Sequence, residues 1–201
     1  MNRSKQNQVK KAAEILKNGG IIVYPTETVY GIGCDPHNRE TCDRVQRLKK
    51  REDIKPLLLL ACSLSQVEHF TGELPDSVLR LAHVFWPGSL TMIFKPSRTL
   101  PEHVYGDSGG VAFRVTSHPI AAAVAREFDC PLTSTSANMT GYPPVGTYKD
   151  AMDVFGKSTD FVLEGFEPLG GIPSTIVDLT GELMLIVREG CIPSKRISEV
   201  L

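Results

Sequence analysis

The stretch Gly20-Ile21-Ile22-Val23-Tyr24-Pro25-Thr26-Glu27-Thr28-Val29-Tyr30-Gly31-Ile32-Gly33 constrains this chain more than any other. An apolar run of strand length stops at a proline. Hydroxyls and one carboxylate follow, then two glycines. Open α/β sheets bind ligands at the carboxyl ends of their strands, and this is the composition of such an end. The segment points to an enzyme or a small-molecule binder. The spacing alone fits a turn equally well, with threonine hydroxyls bonding backbone groups.

The rest of the chain sets limits on that reading. Its 201 residues suffice for one good core, so residues 1–201 read as a single domain. The 22 basic and 23 acidic residues leave a net charge of −1, so no global field recruits nucleic acid or an anionic membrane. Charge that binds phosphate must therefore be local. Cys34, Cys42, Cys62, Cys130 and Cys191 are odd in number, far apart and without a C-x-x-C, which predicts reduced thiols rather than disulfides or zinc. Residues 1–6 are polar, with no signal-peptide core, and no apolar run reaches membrane-spanning length; a cytoplasmic protein without membrane contact is expected.

Periodicity predicts helices over 5–18, 40–51, 75–85 and 119–128, and a short one over 193–201. Strands are predicted at 21–24, 57–61, 91–95, 111–115 and 132–134, with a hairpin of 174–179 and 183–188 across Thr180-Gly181-Glu182. Strands alternate with helices early and dominate late. The expected fold is α/β (α+β), a twisted mixed sheet with helices packed on it.

Four constellations could carry chemistry. The first is the Thr26, Thr28, Tyr30 cluster, with Gly31 and Gly33 permitting close backbone approach. The second is Lys49-Lys50-Arg51 with Lys55, a basic group entering a buried strand and suited to a polyphosphate. A helix end also attracts basic residues through its dipole. The third is Thr133-Ser134-Thr135-Ser136-Ala137-Asn138, a hydrogen-bonding loop after a short strand, or an ordinary polar turn. The fourth is Arg114 and Arg188 in apolar strands; a buried arginine needs an anionic partner, an outward one does not.

Gly106-Asp107-Ser108-Gly109-Gly110 matches the nucleophile motif of chymotrypsin-like proteases, but no histidine has the required context and the pattern is not all-β. Walker-type and dinucleotide glycine loops are absent, as are H-E-x-x-H, paired metal-ligand spacings and G-x-S-x-G. No residue stands out as a nucleophile or general base, and no protein metal site is expected.

In order, the chain carries Tyr24-Pro25-Thr26-Glu27-Thr28-Val29-Tyr30-Gly31-Ile32-Gly33, Lys49-x-Arg51, Pro56-Leu57, Trp86-Pro87-Gly88-Ser89-Leu90-Thr91, Arg114-Val115, Ser134-Thr135-Ser136-Ala137-Asn138 and Ser174-Thr175-Ile176-Val177-Asp178. This succession over about residues 8–190 resembles the YrdC-like family of L-threonylcarbamoyladenylate synthases in its short single-domain form. The resemblance implies a mixed α/β fold with a deep basic cavity. It implies condensation of L-threonine, bicarbonate or CO2, and ATP to L-threonylcarbamoyl-AMP and pyrophosphate. Partner proteins would then transfer the threonylcarbamoyl group to tRNA, and tRNA itself is a further candidate partner. By the same resemblance Thr28, Arg114, Ser134 and Ser174 would bind L-threonine. Arg51 and Lys55 would hold ATP phosphates, with Lys49 lining the entrance. Ser136, Asn138, Pro144 and Arg188 would lie at the nucleotide, and Mg²⁺ would accompany ATP.

The chain departs from the family pattern in places. Glu52 stands where proline often follows Lys-x-Arg. Leu60 stands where longer members have a threonine-binding histidine. Arg188-Glu189-Gly190 replaces arginine-proline-glycine, and the extra C-terminal domain of longer members is not expected. Two alternatives remain: a module binding double-stranded RNA or tRNA, and a paralogue making a different carbamoyl-adenylate. Positioning and charge stabilisation would dominate the catalysis.

Overall fold

The computed structural model describes residues 1–49, 57–97, 100–106, 108–165 and 171–200. Helix α1 (Arg3–Lys17) is capped by Asn2, whose side chain accepts from the Lys5 N–H, and buries Val9, Ala12, Ala13 and Leu16 on one face. It stops at Gly19, whose positive φ of 75° suits glycine. There follow β1 (Ile22–Tyr24), β2 (Gly31–Gly33), α2 (Arg39–Leu48), β3 (Leu58–Ala61), α3 (Leu64–Thr71), α4 (Asp76–Phe85) and β4 (Leu90–Phe94). After a 3-10 turn at Glu102–Val104 come β5 (Val111–Val115), α5 (Pro119–Phe128), β6 (Leu132–Ser136), α6 (Tyr148–Phe155), β7 (Phe161–Val162), β8 (Thr175–Asp178), β9 (Leu185–Arg188) and α7 (Ser194–Ser198).

Among the described residues the strands form one nine-stranded sheet in the order β7-β1-β2-β6-β3-β5-β4-β8-β9. It is mixed as expected: β1 with β7, β3 with β5 and β4 with β8 run parallel, and the other pairs antiparallel. The β8–β9 hairpin expected from the sequence is present.

Register decides which side chains reach the site. Leu59, Phe113, Met92 and Val177 are cross-strand partners in one row, and all four lie in the core that includes Val78, Leu81 and Phe85 of α4. Successive residues of a strand point to opposite faces. Arg114, one residue on from Phe113, therefore shares the other face with its partner Leu60. At one end of that face Leu60, Leu132, Ile22 and Tyr24 pack against the paired helices α1 and α5. Beyond those helices the residues are polar: Arg114 on β5, Thr91 on β4 and Ser134 on β6.

Four elements escaped the sequence reading. Strand β2 is Gly-Ile-Gly, too short and glycine-rich to show alternation. Helices α3 and α6 have eight residues each, with serine and threonine N-caps, and β7 has two residues. Strand β6 continues to Ser136, so Thr135 and Ser136 are strand residues paired with Ile32 and Gly31, not loop. Among the described residues no helix is long and apolar enough to cross a membrane.

Candidate active site

The β1–β2 connection folds around Thr26. Its hydroxyl donates to the Val29 carbonyl at 2.6 Å and accepts from the backbone N–H of Thr28 and Val29. With that proton committed, the 3.0 Å contact between the Thr26 and Thr28 hydroxyls has Thr28 as donor. Thr28 thus keeps its oxygen lone pairs for a ligand's donor. The capped-turn reading and the site reading of this segment are both true, of different threonines.

Gly31 and Gly33, expected to let backbone approach a ligand, serve the packing of the fold itself. A Cβ on Gly33 would meet the Thr133 carbonyl at 2.5 Å and the Tyr24 ring at 2.9 Å; one on Gly31 would crowd Ser134 Oγ and Tyr24. The glycines make room for the Tyr24 ring over β2. Burial pushes the Tyr24 phenol well above its ordinary pKa, against the pull of the Ser134 hydroxyl beside it.

Arg114 is buried, with its side chain 5% exposed, so it needs an anion. The anion is Glu27, left without a role in the sequence reading. Its Oε1 lies 3.2 Å from Arg114 Nε, off the line of a hydrogen bond. Its Oε2 accepts the Thr116 hydroxyl at 2.5 Å. The Arg114 side chain makes no other polar contact to a described residue. The sequence carried only half of this signal: a buried arginine demands a carboxylate, but which acid meets it is decided by how the distant segments pair.

Ser174 is buried beside this group. Its hydroxyl lies 2.9 Å from that of Thr91. Arg188 clasps Ser174, donating to its carbonyl through Nη2 at 2.8 Å and Nε at 3.1 Å, and to its hydroxyl at 3.2 Å. Partial burial and the nearby Arg114 charge both lower the Arg188 pKa. Arg188 therefore joins the Arg114–Ser174 group, whereas the sequence reading put it at the nucleotide. The cause is local: β8 and β9 pair Ile176 with Arg188, and Gly190 packs so close to Ser174 that a Cβ would meet its carbonyl carbon at 2.5 Å. Glu189, the departure from the family pattern, accepts the Ser194 N–H at the start of α7.

A second group gathers further along β6, at Ser136 and the residues after it. Lys49 is fully buried and does not line an open entrance, a correction to its place in the basic run. As the C-cap of α2 it turns inward, and its ammonium donates to the Ser136 carbonyl, to Ser136 Oγ at 3.2 Å and to Asn138 Oδ1 at 2.9 Å. Ser136 also donates to Asn138 at 2.6 Å, and Asn138 anchors the Tyr142 carbonyl at 2.9 Å. Pro144 is exposed in the loop that follows, which returns through Val145 N–H to the Ala137 carbonyl. Ser134 and Ser136, two apart on β6, put a hydroxyl at each group. Arg51, Lys55 and Glu52 lie outside the described residues, as does Asp107 of the protease-like motif. Leu60, by contrast, is buried in the α1–α5 core.

Among the described residues no cluster of three His, Cys, Asp or Glu side chains could hold a metal. Two surface hollows lie elsewhere, one beside α4 at Leu79 and Val84, one between α1 and Tyr148 of α6. The described residues do not outline the deep basic cavity that the resemblance implies. The five cysteines are free thiols; Cys34 and Cys42 are buried with sulfurs 3.5 Å apart.

This arrangement belongs to a defined class. A model of the Sua5/YciO/YrdC family, described as telomere recombination, matches residues 14–190, and the chain belongs to that family. A protein of Coxiella burnetii named threonylcarbamoyl-AMP synthase is 39% identical over 179 residues, 88% of this chain and 95% of that protein. Pyrococcus abyssi Sua5, solved in complex with L-threonine, matches with a TM-score of 0.91 at 30% identity. That match covers 98% of this chain, which spans only 58% of the longer protein. Escherichia coli YciO matches with a TM-score of 0.86 at 29% identity, covering 96% of this chain and 93% of that protein.

Proposed function

We propose that this chain is a threonylcarbamoyl-AMP synthase, condensing L-threonine, bicarbonate or CO2, and ATP to L-threonylcarbamoyl-AMP and pyrophosphate. Arg114 carries the reading. It is a guanidinium buried in a strand, with a carboxylate at its Nε edge and its remaining donors making no hydrogen bond to a described residue. Such a fork suits the carboxylate of an amino acid. The homologues' name and the threonine-bound relative support the same substrate.

In this reading Arg114 grips the threonine carboxylate, and Ser134 and Ser174 bind around it. The Thr28 lone pairs face the amine or hydroxyl. The amine captures CO2 as a carbamate and gives up a proton. A carbamate oxygen then attacks the α-phosphorus of ATP; the bond to the β-phosphate bridge breaks and pyrophosphate departs. Arg188, beside Arg114, would offset charge where carbamate meets α-phosphate. Arg51 and Lys55 would hold the β- and γ-phosphates. Ser136, Asn138 and the backbone near Pro144 would contact the nucleotide, with Lys49 bracing them from beneath. No nucleophile is required of the protein, so positioning and electrostatics carry the rate. Mg²⁺ would arrive on the triphosphate, coordinated by phosphate oxygens and water, and stabilise the leaving charge.

The product is an activated carbamate, to be passed to tRNA by transfer proteins, and a cytoplasmic setting follows from that reading. Pyrophosphate release tests it. Release should require L-threonine, bicarbonate and ATP together; release that ignores threonine or bicarbonate, or a salt-dependent RNA shift without turnover, would overturn it.

A further inference from the structure

The substrate contacts above leave one buried carboxylate of the site unused. The Glu27 side chain is 9% exposed, and both its oxygens are directed at the protein. Oε1 faces Arg114 Nε and Oε2 takes the Thr116 hydroxyl. Thr116 is itself oriented, because its oxygen accepts the His118 N–H at 3.1 Å as the chain enters α5. A relay therefore runs from the N-cap of α5, through one hydroxyl and one carboxylate, to the guanidinium.

A guanidinium offers a carboxylate two edges, the Nε side and the pair of terminal nitrogens. Glu27 occupies the first. The terminal nitrogens make no hydrogen bond to a described residue. The charge of Arg188 lies close by, so an unneutralised Arg114 would be repelled from the position it holds.

We propose that Glu27 is a positioning residue that holds Arg114 by its Nε edge and turns the terminal nitrogens toward the amino-acid carboxylate. It thereby sets affinity for threonine and leaves that for ATP alone. The inference rests on the reading of Arg114 as the threonine clamp. It also explains why the hydroxyl cluster contains an acid beside a site for anions. Glu27 would repel the substrate carboxylate were it not spent on Arg114 and Thr116.

Two measurements test it. In steady-state kinetics Glu27→Gln, which keeps the volume and removes the charge, should raise the KM for threonine by ~10-fold or more. The KM for ATP and kcat at saturating threonine should change by no more than about 2-fold. Glu27→Asp should recover part of the loss. A purely structural role would lower the active fraction, and so kcat, and leave both KM values in place. Separately, the Arg114 Nε–H resonance, assigned by its absence in Arg114→Lys, should be shielded from solvent exchange in the substrate-free protein and become fast-exchanging in Glu27→Gln. An unmoved threonine KM, an equal rise in both KM values, or an unchanged Nε–H would overturn the proposal. Were the wild type to lack threonine-dependent pyrophosphate release, the functional reading would fall, and the substrate-free Nε–H would still decide whether Glu27 holds Arg114.

Discussion

The two groups that meet along β6, one at Ser134 and one at Ser136, are built on different principles. The Arg114 group is centred on strands β5 and β6 and the residue before β8, and a buried ion pair with Glu27, from the β1–β2 connection, locks its central side chain. The Lys49 group stands on a helix end and a loop, and its order comes from one buried ammonium gathering Ser136 and Asn138. The first resembles a rigid mould for a small zwitterion. The second resembles a brace under a segment that a larger ligand would touch. Rigid elements hold geometry better than loops do, so the amino-acid half should set specificity and the nucleotide half should tolerate more variation.

Substitutions can break this contrast, beginning with the largest effect. Arg114→Ala removes the clamp and strands Glu27 without its cation. The KM for threonine should rise ~100-fold, as expected for a charge-assisted pair worth about 3 kcal/mol, with the KM for ATP nearly unchanged. Steady-state kinetics with each substrate varied checks this; equal losses for both would dissolve the distinction between the halves. Lys49→Met should do the reverse. It removes the charge-assisted donor that ties Ser136 to Asn138, lowering stability by about 2 kcal/mol in urea unfolding and raising the KM for ATP rather than for threonine. Gly33→Ala should damage both halves alike. Its Cβ would press on the Thr133 carbonyl and the Tyr24 ring, costing about 1–3 kcal/mol of stability without a preference for either substrate. Ser174→Ala removes one hydroxyl held by Thr91 and Arg188, and should raise the threonine KM ~5-fold, about 1 kcal/mol.

The smallest effect concerns pH. Burial, opposed by the Glu27 charge, lowers the pKa of His118 in the folded chain. The unfolded chain then binds more protons than the folded one between that lowered value and the ordinary histidine value of about 6.5. Stability should be complete above about 6.5 and fall as pH drops through that window. His118→Gln should flatten the fall, as followed by urea midpoints at several pH values.

How much of this was legible beforehand follows from the same contrast. Helix α5 matches the expected 119–128, because its alanine-rich run is bounded by proline and followed by a left-handed Asp129. Polar residues after apolar strands marked Thr28 and Ser134, and Arg114 stood out inside an apolar strand, whereas Ser174 was pointed to only by the family resemblance. Pairings between distant segments were not legible. Nothing in the local sequence says that Glu27 meets Arg114, or that Lys49 turns inward to Asn138, because register and chain reversal decide both. Strand β2 was missed because glycines that accommodate a ring look like glycines that accommodate a ligand.

The central claim is the identity of the product. The measurement is mass spectrometry of the adenylate formed from ATP, Mg²⁺, bicarbonate and a mixture of amino acids. The account predicts the mass of L-threonylcarbamoyl-AMP, gaining one unit with ¹³C-bicarbonate and absent without threonine. An adenylate of another amino acid, or none while ATP is consumed, would contradict it.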